Sequence, residues 1–151
     1  MSKITTIYNA LLPVVAAIFP SKTKIANPYD LESNPEGFLR EGYGVKINSM
    51  EPEEGEFCKY RYNVEFSVII TKEVIKTDEN ATVLEVATLA LLEDINTARF
   101  NLDKNHELGV GNSVDHIDVG SSTGIEFISG DKFNFISMEL NFSISTTEER
   151  G

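Results

Sequence analysis

The stretch 59-KYRYNVEFSVIITK-72 decides the fold. Tyr60, Tyr62, Val64, Phe66, Val68 and Ile70 fall on one side of an extended chain. Arg61, Asn63, Glu65, Ser67 and Thr71 fall on the other, with Ile69 out of step. A period of two marks a strand with one buried face. This run is far longer than the usual ~5–6 residues of a strand, so one end is expected to project beyond the sheet.

Upstream, 50-MEPEEGE-56 combines four glutamates with a proline and a glycine, the composition of a solvated hairpin tip. Tyr43, Val45 and Ile47 alternate and supply the partner strand. Residues 28–44 hold Pro28, Pro35, Gly37, Gly42 and Gly44, which predicts an ordered loop with one helical turn at 36–40, and a short strand at 24–27 stops at Pro28. Further back, Ile4, Ile7, Tyr8, Leu11, Leu12, Val15, Ile18 and Phe19 keep helical spacing, with Ser2 as N-cap and Pro20 as the stop. Pro13 is expected to kink this helix. Its other face carries Thr5, Thr6, Asn9 and Ala16, too weakly polar for a fully solvated surface, so the helix is expected to touch something on both sides, including another subunit.

Downstream, Thr77 or Asp78 can cap a second helix whose stripe is Leu84, Ala87, Leu91 and Ile95, widened by Leu92 and Ala98. A polar connector at 101–113 leads to strands near 114–119 and 125–128, separated by a turn at 120–124. A tight turn at 129–132 precedes a last long strand with Ile136, Met138, Leu140, Phe142 and Ile144 on one face. Phe133 and Phe135 have the opposite register and predict a bulge near 134–136. Residues 145–151 read as a polar, mobile tail. The sum is a single α+β domain over 1–151, a mostly antiparallel sheet with two main helices packed on one face and a long hairpin with an acidic tip.

The 151 residues include 24 acidic and 13 basic ones, giving a net charge of −11 and a pI near 4.6. That balance argues against gripping DNA phosphates or anionic lipid. Cys58 is the only cysteine, so internal disulfides and cysteine-rich zinc sites are out. The apolar N-terminal stretch is broken by Asn9 and Pro13, which favours a packed helix over a signal peptide and predicts a soluble protein made in a cytoplasm.

No catalytic constellation emerges. His116 and Asp118 share a strand face, but Ile117 and Val119 between them suit the core, leaving a solvated polar face rather than a metal site. His106 falls in a polar loop. Cys58 has no base placed beside it, and no phosphate-loop, zincin or serine-hydrolase spacing is present. The glutamates of the tip lack EF-hand spacing. Asn80-Ala-Thr82 and Asn141-Phe-Ser143 match sequons that a chain without a signal peptide never exposes to glycosylation. The reading is a non-enzyme without cofactor or metal.

The order and spacing of these features resemble the tail terminator proteins of long-tailed bacteriophages. The likeness rests on a helix ending at Phe19-Pro20 and the Asn27-Pro28 turn. It continues through Asn34-Pro-Glu-Gly37, which leads into Leu39-Arg-Glu-Gly-Tyr43, then the long strand 59–72 before the helix 83–99, and the closing 139-ELNFSI-144. It covers residues 2 to about 146. The resemblance implies a virion protein of the tail or neck, assembled in the host cytoplasm. Such proteins form a hexameric ring that caps the finished tail tube, stops its polymerisation and meets the head-side connector. The implied partners are further copies of the chain, the tail tube protein, the head-completion protein and the tape-measure protein, with DNA passing through unbound and no membrane involved. A DNA passage suits an acidic wall, which repels phosphates.

The candidate contacts with neighbouring subunits or axial partners are Glu51, Glu53, Glu54 and Glu56 of the tip, and Asn34, Leu39 and Arg40 of the loop. For the tip the competing reading is a solvated turn. For the chain, the competing readings are another tail-tube or head–tail completion subunit, a small-molecule or peptide-binding domain with Tyr60, Tyr62 and Phe66 lining a pocket, and an unrecognised enzyme, against which stands the lack of any paired acid–base candidate.

Overall fold

The computed structural model describes residues 3–53, 59–74, 81–104, 114, 116–130 and 132–149. Helix α1 (Lys3–Ile18) leads through the two-residue strand β1 (Thr23–Lys24), a 3-10 turn (Leu31–Ser33) and the short helix α2 (Glu36–Leu39) to strands β2 (Glu41–Glu53) and β3 (Lys59–Val74). Helix α3 (Ala81–Lys104) follows, then β4 (His116–Ser122), β5 (Glu126–Ser129) and β6 (Asn134–Glu149). The sheet order is β1-β2-β3-β6-β4, with β5 sharing the outer side of β6 with β4. Among the described strands only the β1–β2 pair is parallel, so the architecture is a mostly antiparallel six-stranded sheet with two main helices packed against it.

β3 and β6 form the spine. They pair without a slip from Lys59 opposite Glu149 to Val74 opposite Asn134. Because side chains alternate across a strand, this register puts Val64, Phe66, Val68 and Ile70 on the same face as Ile136, Met138, Leu140, Phe142 and Ile144. The rings of Phe66 and Phe142 stack with centroids 5.6 Å apart. Helix α1 presses Ile7, Leu11 and Val15 onto this face, and α3 presses Ala87, Leu91, Ile95, Ala98 and Leu102. α1 runs unbroken through Pro13, which stands on its exposed side.

On the other face the segment 25–40 folds over one end of the sheet. Ile25, Leu39 and Phe135 make a second, smaller core there, with Leu31, Ile128 and Phe133 against it. Phe135 is thus buried on the face opposite Ile136 without any bulge, contrary to the expectation at 134–136. The register shifts lie instead at Ile47/Ser49 in β2 and Val119/Ser122 in β4. Ile69, out of step in the sequence pattern, is 4% exposed on this same face and shares the space above Gly44 with Pro28.

Other boundaries differ too. Residues 145–149 are not a tail: they complete β6, paired with β3, and Thr146 is fully buried. β3 does not project from the sheet, because β6 accompanies it to both ends. β1 is shorter than expected, and α3 runs on to Lys104 where a polar connector was expected from 101. Leu84, assigned to the buried stripe, is 40% exposed. Ser2, Cys58, Thr77, Asp78 and His106 lie outside the described residues.

Candidate interaction surfaces

The loop 27–34 is held from inside by one side chain. The Asn34 amide nitrogen donates to the carbonyls of Asn27 and Asp30 at 2.8 and 2.9 Å, and its oxygen accepts from the Asn27 N–H at 2.8 Å. Asn34 is 7% exposed and Leu39 is 2% exposed. Of the loop residues singled out from the sequence, these two face inward and Arg40 faces out. The Arg40 Nε donates to Glu73 at 2.8 Å, and the guanidinium lies 4.8 Å from the ring centroid of Phe133. Tyr29 and Phe38, which the sequence reading passed over, expose much of their rings. The Tyr29 hydroxyl accepts the Ile47 N–H at 2.9 Å, on the side of β2 away from β3.

On the hairpin, Glu51 is exposed and stands opposite Asn63. Glu53 pairs with Arg61 along the backbone, and Glu54 and Glu56 lie outside the described residues. Between this end and the loop, the face of the sheet away from the helices is polar, and none of the described helices covers it. Lys46 pairs with Glu139 across β3, and Asn48, Ser67 and Asn141 form a hydrogen-bonded row. His116 and Asp118 are exposed on this face while Ile117 is buried on the other, as the alternation predicted. Among the described residues, no group of three His, Cys, Asp or Glu is placed to hold a metal. None of the described helices is long and apolar enough to cross a membrane.

The helix side differs in character. Val86, Leu89 and Phe100 on the outward face of α3 are 62%, 60% and 67% exposed. A helix on a solvated surface normally carries charge there. Leu92 flanks them, Glu93 projects between Leu89 and Phe100, Glu85 and Asp103 stand alongside, and the Lys104 ammonium lies 5.8 Å from the Phe100 ring centroid. On the opposite flank, Leu12, Pro13, Ala16, Tyr43 and Val45 line an apolar groove of about 220 Å³ between α1 and the β1–β2 edge, with exposed Lys24 at its rim. That volume is below the ~300–1,000 Å³ usual for small-ligand pockets. Phe66, considered as a pocket wall, is fully buried in the core instead.

No protein-family model matches the chain, and no curated protein does. A chain in a solved structure described as the virion of a native gene transfer agent particle aligns with 94% of this chain and 92% of its own length. The identity is 11% and the TM-score 0.45. At that score the two folds are not shown to be the same.

Proposed function

We propose that the chain is a structural virion protein of the tail-terminator kind. Six copies close into a ring that caps the tail tube, ends its polymerisation and presents a surface to the head-side connector, with DNA passing through. The observation that carries this reading is the apolar outward face of α3, where Val86, Leu89 and Phe100 stand mostly in water. Such a face on the longest helix suits a subunit whose surface is completed by a partner. The element order agrees with the sequence resemblance: an opening helix, a turn-rich loop, a long strand pair, a second helix and a closing strand. The net charge of −11 suits non-adhesive contact with DNA. Glu51, Glu53, Glu54, Glu56 and Arg40 remain proposed contacts, whereas Asn34 and Leu39 would act by shaping the loop.

The test is electron microscopy of the purified protein, alone and mixed with tail tubes. Closed rings, or caps confined to tube ends, support the terminator. Long filaments of the protein alone point to a tube subunit and overturn it, as does a protein that neither rings nor decorates tubes.

A further inference from the structure

The two apolar surfaces on the helix side lie on opposite flanks of the sheet. α3 packs over β3, β6 and β4, whereas the groove opens between α1 and the β1–β2 edge. Val86 and Leu89, with Leu92 beside them and Phe100 further along, expose apolar side chains on the outward side of α3, and exposed apolar side chains gathered on one helix face mark an interaction site. The groove is a recess of about 220 Å³ with apolar walls, sized for protruding side chains.

Charge selects the pairing. The α3 face carries Glu93 between Leu89 and Phe100 and is flanked by Glu85 and Asp103, all exposed, while Lys104 at its end places its ammonium 5.8 Å from the Phe100 ring centroid. Two α3 faces meeting about a two-fold axis near the middle of the helix would set Glu93 against its own copy, a contact opposed by like-charge repulsion. The groove side has the reverse sign. α1 contains a single charged residue, Lys3, and the groove rim carries Lys24.

We infer that the outward face of α3 docks, in a second copy of this chain, into the α1–β2 groove, with Leu89 in the recess and Lys24 facing Glu93. The contact is heterologous: each subunit uses one surface to give and another to receive, so it propagates head to tail and ends only by closing into a ring. This deepens the ring proposal and rests on it, assigning the seam to named surfaces. It also gives a role to the weakly polar outer side of α1, where Thr5, Asn9, Pro13 and Ala17 are exposed.

The experiment uses the full chain and two substitutions at surface-accessible positions, Leu89→Asp on the α3 face and Ala16→Arg in the groove. Circular dichroism and melting check that each stays folded, and Lys24→Glu serves as a second groove variant if Ala16→Arg does not. Sedimentation velocity is expected to show the wild type as a closed assembly and each variant alone as a monomer, with association weakened at least ~30-fold, the mark of a hot-spot side chain. Mixing the two variants leaves one intact α3 face and one intact groove, so a one-to-one dimer forms and grows no further. Glu93→Lys is expected to restore assembly to Lys24→Glu. Closed rings that ignore both substitutions overturn this seam and leave the terminator reading standing. Open filaments abolished by both substitutions sink the terminator reading and leave the seam. A wild type that stays monomeric at every accessible concentration, or mixed variants that stay monomeric, overturns the seam.

Discussion

Lys22 Nζ lies 2.8 Å from Glu41 Oε2, and Lys72 Nζ reaches the other oxygen of the same carboxylate at 2.6 Å. Lys22 is the more committed partner. Its side chain is 3% exposed, 3.3 Å from Asp94 on α3, and donates to the Thr71 carbonyl at 3.2 Å. One ammonium thus joins the end of α1 to β2, β3 and α3. Burial alone would raise the Glu41 pKa, but hydrogen bonding and charge from Lys22 and Lys72 together hold it below its ordinary value. A carboxylate with a depressed folded pKa contributes stability that is present above its unfolded pKa and lost as pH falls through the folded value. Glu41→Gln is therefore expected to cost about 1 kcal/mol at neutral pH, kept small because the carboxylate is half in water. The difference from wild type should shrink as pH falls below the unfolded value of about 4.3. Urea denaturation across a pH series measures this, and a difference that grows on acidification would contradict it.

The loop depends on Asn34. Asn34→Ala removes both ends of the amide and leaves the Asn27 N–H and the Asn27 and Asp30 carbonyls without this partner. Lost hydrogen bonds at a nearly buried site predict a cost of about 2–3 kcal/mol. Asn34→Asp is expected to be at least as damaging, since it keeps the acceptor but aims a carboxylate at carbonyl oxygens. Chemical denaturation gives the cost, and hydrogen exchange at the Asn27 amide tests whether the loss is local to the loop.

Gly42 sits where the loop crosses the sheet. A Cβ there would come within 2.5 Å of the Phe38 carbonyl oxygen and 2.6 Å of Thr71 Oγ1, which already accepts the Gly42 N–H. A backbone oxygen cannot swing aside as a flexible side chain can, so Gly42→Ala should cost about 1–3 kcal/mol through overpacking. Gly37 has nothing within 4 Å of such a Cβ. Gly37→Ala in α2 is expected to be neutral or slightly stabilising. Comparing the two melting temperatures isolates close approach from a general effect of losing glycine.

The period-two patterns of β3 and β6 were legible because each strand has one face in a single apolar core, so Val64 to Ile70 and Ile136 to Ile144 announce themselves. Phe135 misled because its partners Ile25 and Leu39 come from a segment about a hundred residues earlier. A second core on the far face looks, in one dimension, like a shift of register. The fate of Asn34 was equally hidden, since a polar residue in a turn-rich loop reads as surface until its amide is seen to be used inside the loop. The outward face of α3 could have been read. Val86, Leu89 and Phe100 fall on one side of the helix opposite Leu91 and Ile95, but a search for the buried stripe passes over apolar residues that do not join it.

The end of β6 gives the sharpest contrast between pattern and structure. Residues 145–149 read as Ser-Thr-Thr-Glu-Glu, with no apolar side chain to signal burial. Yet Thr146 is fully buried, and Ser145 pairs with Asn63 of β3 on one side and His116 of β4 on the other. The Lys3 ammonium of α1 also donates to the Thr147 carbonyl, tying the first helix to the last strand. A chain cut after Ile144 would leave 59–63 of β3 without their neighbour from β6. At about 0.5–1.5 kcal/mol for each ladder hydrogen bond, the loss should reach about 3–5 kcal/mol. The truncated chain is expected to melt well below the full chain and to lose exchange protection in 59–63, whereas a true tail would come off with the melting temperature unchanged.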